Sequence, residues 1–259
     1  MSANLSSSSK WGLFLVTTLL LPRPLVATST QDTVRVGDSS VSGEFIRPFR
    51  IQWIGIPRTA EGAMLATFTV DESVEIVDGN LLKFVQAWND TLGNNLFTSA
   101  RVADRATMGY RAFHTGASPG GLGHLDFDGK RVTGMFAESA EQAVTTIGLV
   151  LDEEVFASFA GLLFAAFPMS DGYEAVMPGF GWGGSTNPAL RWQTLRVVGR
   201  ERISVAGSGM MDAFVAESSR QSGVQFWLSK SAPYFLKAVA PRGEGGTTTF
   251  VVGEWEYLD

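Results

Sequence analysis

The chain has 259 residues, 20 Lys and Arg against 26 Asp and Glu, a formal charge of -6 and a pI near 5.0. That acidic balance excludes a nucleic-acid partner or an anionic-membrane binder, both of which need clustered basic side chains. Cysteine is absent, so there is no disulfide or thiolate site, and stability must come from an ordinary apolar core.

The N-terminal stretch reads as an export signal. Lys10 precedes the apolar run WGLFLVTTLLL (11–21), and PRPLVATST follows. A charge, a short greasy run and a small-residue exit make a secretory signal peptide, with cleavage expected after Ala27. The run is shorter than the roughly 17–25 residues that span a bilayer, and Pro22 and Pro24 break a helix there. The expectation is a signal peptide over residues 1–27, then a single β-rich domain over 28–259. That domain would be exported, periplasmic or extracellular, without an integral membrane span.

The remaining sequence breaks into short β-type runs punctuated by Gly, Pro, Asp and Asn. The runs are FRIQWIGI (49–56), AMLATFTV (63–70), LLKFVQAW (81–88), LRWQTLRVV (190–198) and TTTFVVGEWEYL (247–258). Several alternate apolar and polar residues, as half-buried antiparallel strands require. Asp78-Gly79 and Asp128-Gly129 read as hairpin turns that tolerate positive φ. The fold class expected is mainly β, a curved antiparallel sheet or partly closed barrel.

One segment predicts a helix. In LDEEVFASFAGLLFAAF (151–167), Asp152 is placed as an N-cap and Glu153 and Glu154 fall in the first turn. Val155, Phe156, Phe159, Leu162, Leu163, Ala166 and Phe167 recur at helical spacing, and Pro168 stops the run. The spacing predicts one principal helix over about 152–167, covering a face of the sheet. A weak internal repeat also stands out. VEIVDGNLLKFVQAW (74–88) parallels ISVAGSGMMDAFVAES (203–218), and RVADRATMGYRAF (101–113) parallels WLSKSAPYFLKAV (227–239), which suggests two similar half-sheets.

Four stretches carry a family resemblance: LDFDGKRVTG (125–134), LDEEVF…AAFPMSDGY (151–173), RVVGRERISVAGSGMMDAFVAE (196–217) and FWLSKSAPYFLKAV (226–239). Over about residues 100–252 their order and spacing resemble domain-of-unknown-function family 3108, exported bacterial proteins of uncertain role. The resemblance implies a β-rich envelope domain, distantly similar to lipoprotein carriers with a curved sheet and an internal helix. It brings no catalytic residues.

Motifs that would carry chemistry fail on inspection. Gly116-Ala117-Ser118-Pro119-Gly120 matches G-x-S-x-G, but the oxyanion hole uses the N–H after the serine, and Pro119 has none. Gly179-Phe180-Gly181-Trp182-Gly183-Gly184 matches G-x-G-x-x-G, but no helix follows to meet a pyrophosphate. It reads as a flexible loop carrying a lid-like Trp182. His124, Asp126 and Asp128 share one face of GHLDFDG and could hold a cation if His114 joined from a neighbouring strand. The reading preferred is the solvent face of a hairpin, with no metal and no cofactor.

Aromatics remain. In QFWLSKSAPYFLKAV (225–239) both strand-like runs are apolar on both faces, so one face meets the core and the other meets the helix or a ligand. Trp182, Trp192, Trp227, Phe235 and Lys237 are the candidate ligand-lining residues, with Lys237 or Arg196 placed to meet a headgroup. The function expected is a non-catalytic envelope protein, either a structural or interaction module or a binder of an apolar, lipid-like molecule. The alternative is a secreted hydrolase with an acidic active site.

Overall fold

A computed structural model describes residues 32–117, 122–137, 143–159, 161–182 and 188–259; the expected signal peptide lies outside the described residues. Alternation governs the strands. In β2 (Phe49–Arg58), Phe49, Ile51 and Trp53 point inward and are nearly inaccessible, while the residues between them are partly or fully exposed. The same rule builds β3 (Phe68–Val77), β4 (Leu81–Asn89), β5 (Asn95–Asp104), β6 (Tyr110–Ala117), β7 (Leu122–Asp128), β8 (Arg131–Ala137) and β9 (Thr145–Val150) into an antiparallel meander. A second meander follows: β10 (Glu174–Trp182), β11 (Pro188–Val205), β12 (Gly209–Ser218), β13 (Gln225–Leu228), β14 (Phe235–Pro241) and β15 (Thr247–Tyr257).

The two meanders join where β15 pairs with β2, in register from Thr247↔Arg58 to Tyr257↔Phe49. With β1 (Asp32–Thr33) parallel to β10, the result is one curved sheet of 15 strands in the order β1-β10-β11-β12-β13-β14-β15-β2-β3-β4-β5-β6-β7-β8-β9. It does not close, and β1 and β9 stand at its ends. The expected mainly β class, curved and partly closed, is the observed one. The hairpins of the internal repeat occupy matching places. The β3–β4 hairpin corresponds to β11–β12, and β5–β6 corresponds to β13–β14. Each of the latter two turns ends on a buried non-glycine residue at positive φ, Met108 (φ 57) and Tyr234 (φ 63).

Turn chemistry follows the sequence in part. Asp78 (φ 48) and Gly79 (φ 76) supply the left-handed pair that a tight hairpin needs. At the β7–β8 hairpin only Gly129 (φ 58) of the expected pair is left-handed, because Asp128 is still in the strand and pairs with Arg131. The strand expected over 63–70 starts only at Phe68, with Met64 making a lone bridge to Arg58. Residues 179–182, expected as a flexible loop, belong to β10, where Phe180 is buried against β11. Ser118 and Gly183-Gly184 of the two motifs lie outside the described residues.

The helix is the main correction. Among the described residues of 151–167 only Gly161–Ala165 is helical, here α1, and residues 151–159 are not. Val155, Phe156, Ala157 and Phe159 are all buried to 2% or less, so this stretch has no polar side for an amphipathic helix to present. Its backbone is satisfied across the sheet instead. Tyr110 donates its N–H to the Val155 carbonyl, Phe156 donates to Pro178, and Ala157 donates to Met108. The segment therefore bridges the opening between the start of β6 and β10. Glu153 pairs with Arg35 at 3.3 Å rather than sitting in a first helical turn.

The bridging segment and α1 fill one end of the concave interior. Phe159 packs on Phe84 of β4 (5.4 Å between ring centroids), Phe156 on Phe167 (5.5 Å), and Phe164 on Phe226 of β13 (5.3 Å). Lys230, from the β13–β14 turn, donates to the carbonyls of Ala165 (2.9 Å) and Phe167 at the end of α1. A cation on those orphan carbonyls suits both their hydrogen-bonding need and the helix dipole.

Candidate functional site

At the other end of the interior the sheet is not filled. An apolar pocket of about 210 Å³ lies between β2, β3, β4 and β13–β15. Trp53, Val70, Trp88, Phe226, Phe235 and Phe250 form most of its wall. Phe68 backs it, stacked on Trp88 (5.5 Å, 19°) and edge-on to Phe250 (5.8 Å, 80°). Gly55 makes that placement possible, because a Cβ there would stand 2.4 Å from the Phe68 ring.

One carboxyl group sits among these rings. Glu72 has the inward parity of Val70 and Val74 on β3 and is 8% exposed. Its Oε2 accepts from Trp53 Nε1 at 2.8 Å and its Oε1 from Gln86 Nε2 at 2.6 Å. Burial pushes its pKa up; the donors on Gln86 and Trp53 and the Arg101 guanidinium pull against that rise without cancelling it. Arg101 itself lies over the rings of Phe84 (5.8 Å) and Phe113 (5.7 Å). Arg220 immediately precedes the pocket residue Gln221, and both guanidinium groups act on the buried Tyr110 phenol. Among the described residues neither Arg101 nor Arg220 forms a salt bridge.

The five candidate lining residues separate. Phe235 lines the pocket, 4.6 Å from Trp53 between ring centroids, together with Phe226, which shares the same sequence segment. Lys237 does not line it. Two residues apart, Phe235 and Lys237 would share a face in a regular strand. A register shift intervenes, however, with Trp227 paired to Lys237 and Leu228 to Phe235. Phe226 and Ala238, which are partners, line the pocket; Trp227 and Lys237, next along each strand, face away. There Lys237 Nζ lies 4.0 Å over the Trp227 ring, and Trp227 Nε1 donates to Glu201 at 2.6 Å. Trp192 is 44% exposed near the Arg35 guanidinium. Arg196 pairs with Glu217 at 3.2 Å. The side chain of Trp182 lies outside the described residues.

The two-faced segment 225–239 thus has its explanation. One face meets the pocket and α1, where Gly161 lets the backbone come within 2.6 Å of the Phe235 ring measured from a notional Cβ. The other face is covered by the β11–β12 hairpin through Glu201. Tyr234 anchors the turn, donating to the Phe45 carbonyl (3.2 Å) and accepting from the Arg47 N–H (3.1 Å).

A larger hollow of about 470 Å³ is lined by Arg50, Gln52, Asp71, Glu254 and Glu256 among others, and it also touches Glu72. Several of its charges are already engaged: Gln52 and Asn89 donate to Asp71, and Arg50 pairs with Glu256. The apolar pocket is the better ligand site, since binding sites are mostly apolar with a few placed polar groups. Among the described residues no helix is long and apolar enough to cross a membrane.

No family model matches the chain, and no curated protein sequence matches it. Solved structures do. A β-barrel-like protein of domain-of-unknown-function family 1849 from Brucella abortus is similar over 82% of this chain and 98% of its own, at 10% identity and a TM-score of 0.51. A Bacteroides fragilis protein named for its export and YmcC-like fold covers 87% of this chain and 98% of its own, at 9% identity and a TM-score of 0.34. A Vibrio parahaemolyticus domain named for outer-membrane lipoprotein sorting covers 82% and 86%, at 9% identity and a TM-score of 0.28. The Brucella likeness shows a shared fold. The family resemblance read from the sequence therefore meets a neighbour from a domain-of-unknown-function family, though not from family 3108.

Proposed function

We propose that this is an exported, non-catalytic envelope protein whose pocket takes the apolar part of a small amphiphile. The observation that carries this reading is the unfilled aromatic pocket at one end of an otherwise well-packed interior. At about 210 Å³ it is smaller than the roughly 300–1,000 Å³ that encloses a drug-sized ligand. It therefore suits a ring or a chain end, with about 0.8 kcal/mol gained for each methylene buried. Arg101, which acts electrostatically on the pocket's Glu72, and Arg220, next in sequence to its Gln221, favour an anionic head. The lining holds a single carboxyl, Glu72, with two donors upon it, an arrangement that favours binding over the paired acids of a hydrolase. Export by cleavage after Ala27 and kinship with family 3108 belong to the same proposal, supported by the leader-like run 11–21 and the stretches within 100–252.

The test uses two probes, neutral phenylnaphthylamine and a fluorescent fatty acid, with native mass spectrometry of gently purified protein. Both probes should bind the parent. Ala240→Trp, which fills the pocket from β14, should abolish both signals with the strand spectrum unchanged. Arg220→Glu should weaken the fatty acid severalfold and leave the neutral probe. A parent that carries no apolar mass and binds neither probe would leave only a structural or interaction role.

A further inference from the structure

His114 and His124 are register partners on β6 and β7. Their Nδ1 atoms stand 2.8 Å apart, and the rings meet edge to face with centroids 4.3 Å apart. His124 Nε2 lies 3.1 Å from Asp126 Oδ2, two residues along on the same strand face. The row continues onto β8, where Met135, 45% exposed, is the partner of His124 on its other side. Leu125 and Phe127 take the opposite, buried face of β7. Imidazole, imidazole and thioether therefore share one exposed surface, outside the apolar pocket.

We propose that this row binds a square-planar transition-metal ion, copper(II) above all, through the Nδ1 atoms of His114 and His124. At a metal–nitrogen distance of about 2.0 Å, cis ligands of a square-planar ion stand about 2.8 Å apart, whereas tetrahedral ligands stand about 3.3 Å apart. The observed spacing is the first of these. Asp126 supplies the orienting carboxylate that metal-bound histidines usually have. It accepts the Nε2–H of His124, which fixes that tautomer and leaves the Nδ1 lone pair free. In the metal-free protein His114 then donates its Nδ1–H to His124. Metal entry would send that proton to His114 Nε2 by way of solvent, a change of tautomer only. Among the described residues no group of three or more His, Cys, Asp or Glu is arranged to hold a metal ion together. Water would complete the plane, and the Met135 sulfur is the soft donor that a reduced copper ion would recruit.

Chelator-stripped full-length protein titrated with copper(II) and followed by electron paramagnetic resonance tests this directly. The expected result is one copper per chain with hyperfine coupling to imidazole nitrogen, for which these are the only two histidines in the sequence. His114→Ala and His124→Ala should each lower affinity at least tenfold, and Asp126→Asn, which loses the carboxylate, by about 10–100-fold. His124→Gln, close in size to the parent side chain, should lose copper while its circular dichroism stays that of the parent. Absence of nitrogen coupling in the parent, or unchanged affinity when both histidines are replaced, overturns the proposal.

Discussion

Along β4 the inward side chains are Leu82, Phe84, Gln86 and Trp88. The first two are buried to 1% or less, while the last two border the pocket. The strand, its pleat and its neighbours are the same at both ends; what differs is the cover. Residues 155–159 and 161–167 lie over the first end and stop short of the second. The curved sheet alone therefore offers a hollow along its whole length, and one inserted segment decides how much of it is left for a ligand. The packed end supplies stability, and the open end is where recognition can take place.

Four measurements would break or sharpen that contrast. The largest effect is expected for Phe84→Ala, which removes a fully buried ring at the packed end and should cost about 3–5 kcal/mol in urea denaturation. A loss below about 1 kcal/mol would mean that this end is not the stabilising one. Next comes Gly161→Val, at the boundary between the two ends. Its Cβ would stand 2.6 Å from the Phe235 ring, so overpacking should cost about 1–3 kcal/mol. The displaced ring should also lower probe affinity, and unaltered binding would separate the pocket from α1.

Glu72→Gln tests the open end through pH. The folded-state pKa of Glu72 is raised by burial above its ordinary 4.5. Its contribution is therefore fully present below about 4.5 and is lost as pH rises through the higher folded value. The variant, with Gln86 free to turn its amide and satisfy the new one, should match the parent in acid and exceed it increasingly towards alkaline pH. A gap between variant and parent that stays flat or closes as pH rises would contradict a raised Glu72. The smallest effect belongs to Trp192→Ala, on the outer surface, which should stay within about 0.5 kcal/mol and leave probe binding untouched.

Much of the sheet was legible because period-two alternation is a direct image of a one-sided core. The FRIQWIGI run maps onto β2 almost residue for residue. The helix is shorter than its expected 152–167 for a related reason. Apolar residues in 151–167 do fall at helical spacing, but so do they in any segment buried all round, and Phe156 spends its backbone bridging towards Gly109 and Gly179. Phe235 stands in the pocket wall, where aromatic density in the sequence pointed to an interior, whereas Lys237 stands on the other face because of a bulge that leaves no trace in composition. Glu72 carried a signal that went unused: in TVDESV a charged residue takes the same parity as two valines, which marks an acid facing inward. The approach of His114 from a neighbouring strand, raised from the sequence, corresponds to its pairing with His124 between β6 and β7.

The seam between β15 and β2 has a consequence for the order of events in synthesis. The first meander cannot complete its pairing with strands on its own side of the chain, because the partner of β2 is the last strand described. Contacts so distant in sequence are slow to form, since a long loop must be closed before any ladder rewards it. Until β15 has left the ribosome, β2 has an unsatisfied edge and the sheet lacks its middle. For the exported protein proposed above that delay is useful: a chain that cannot finish folding early remains a thread, and a thread is what a secretion channel can pass.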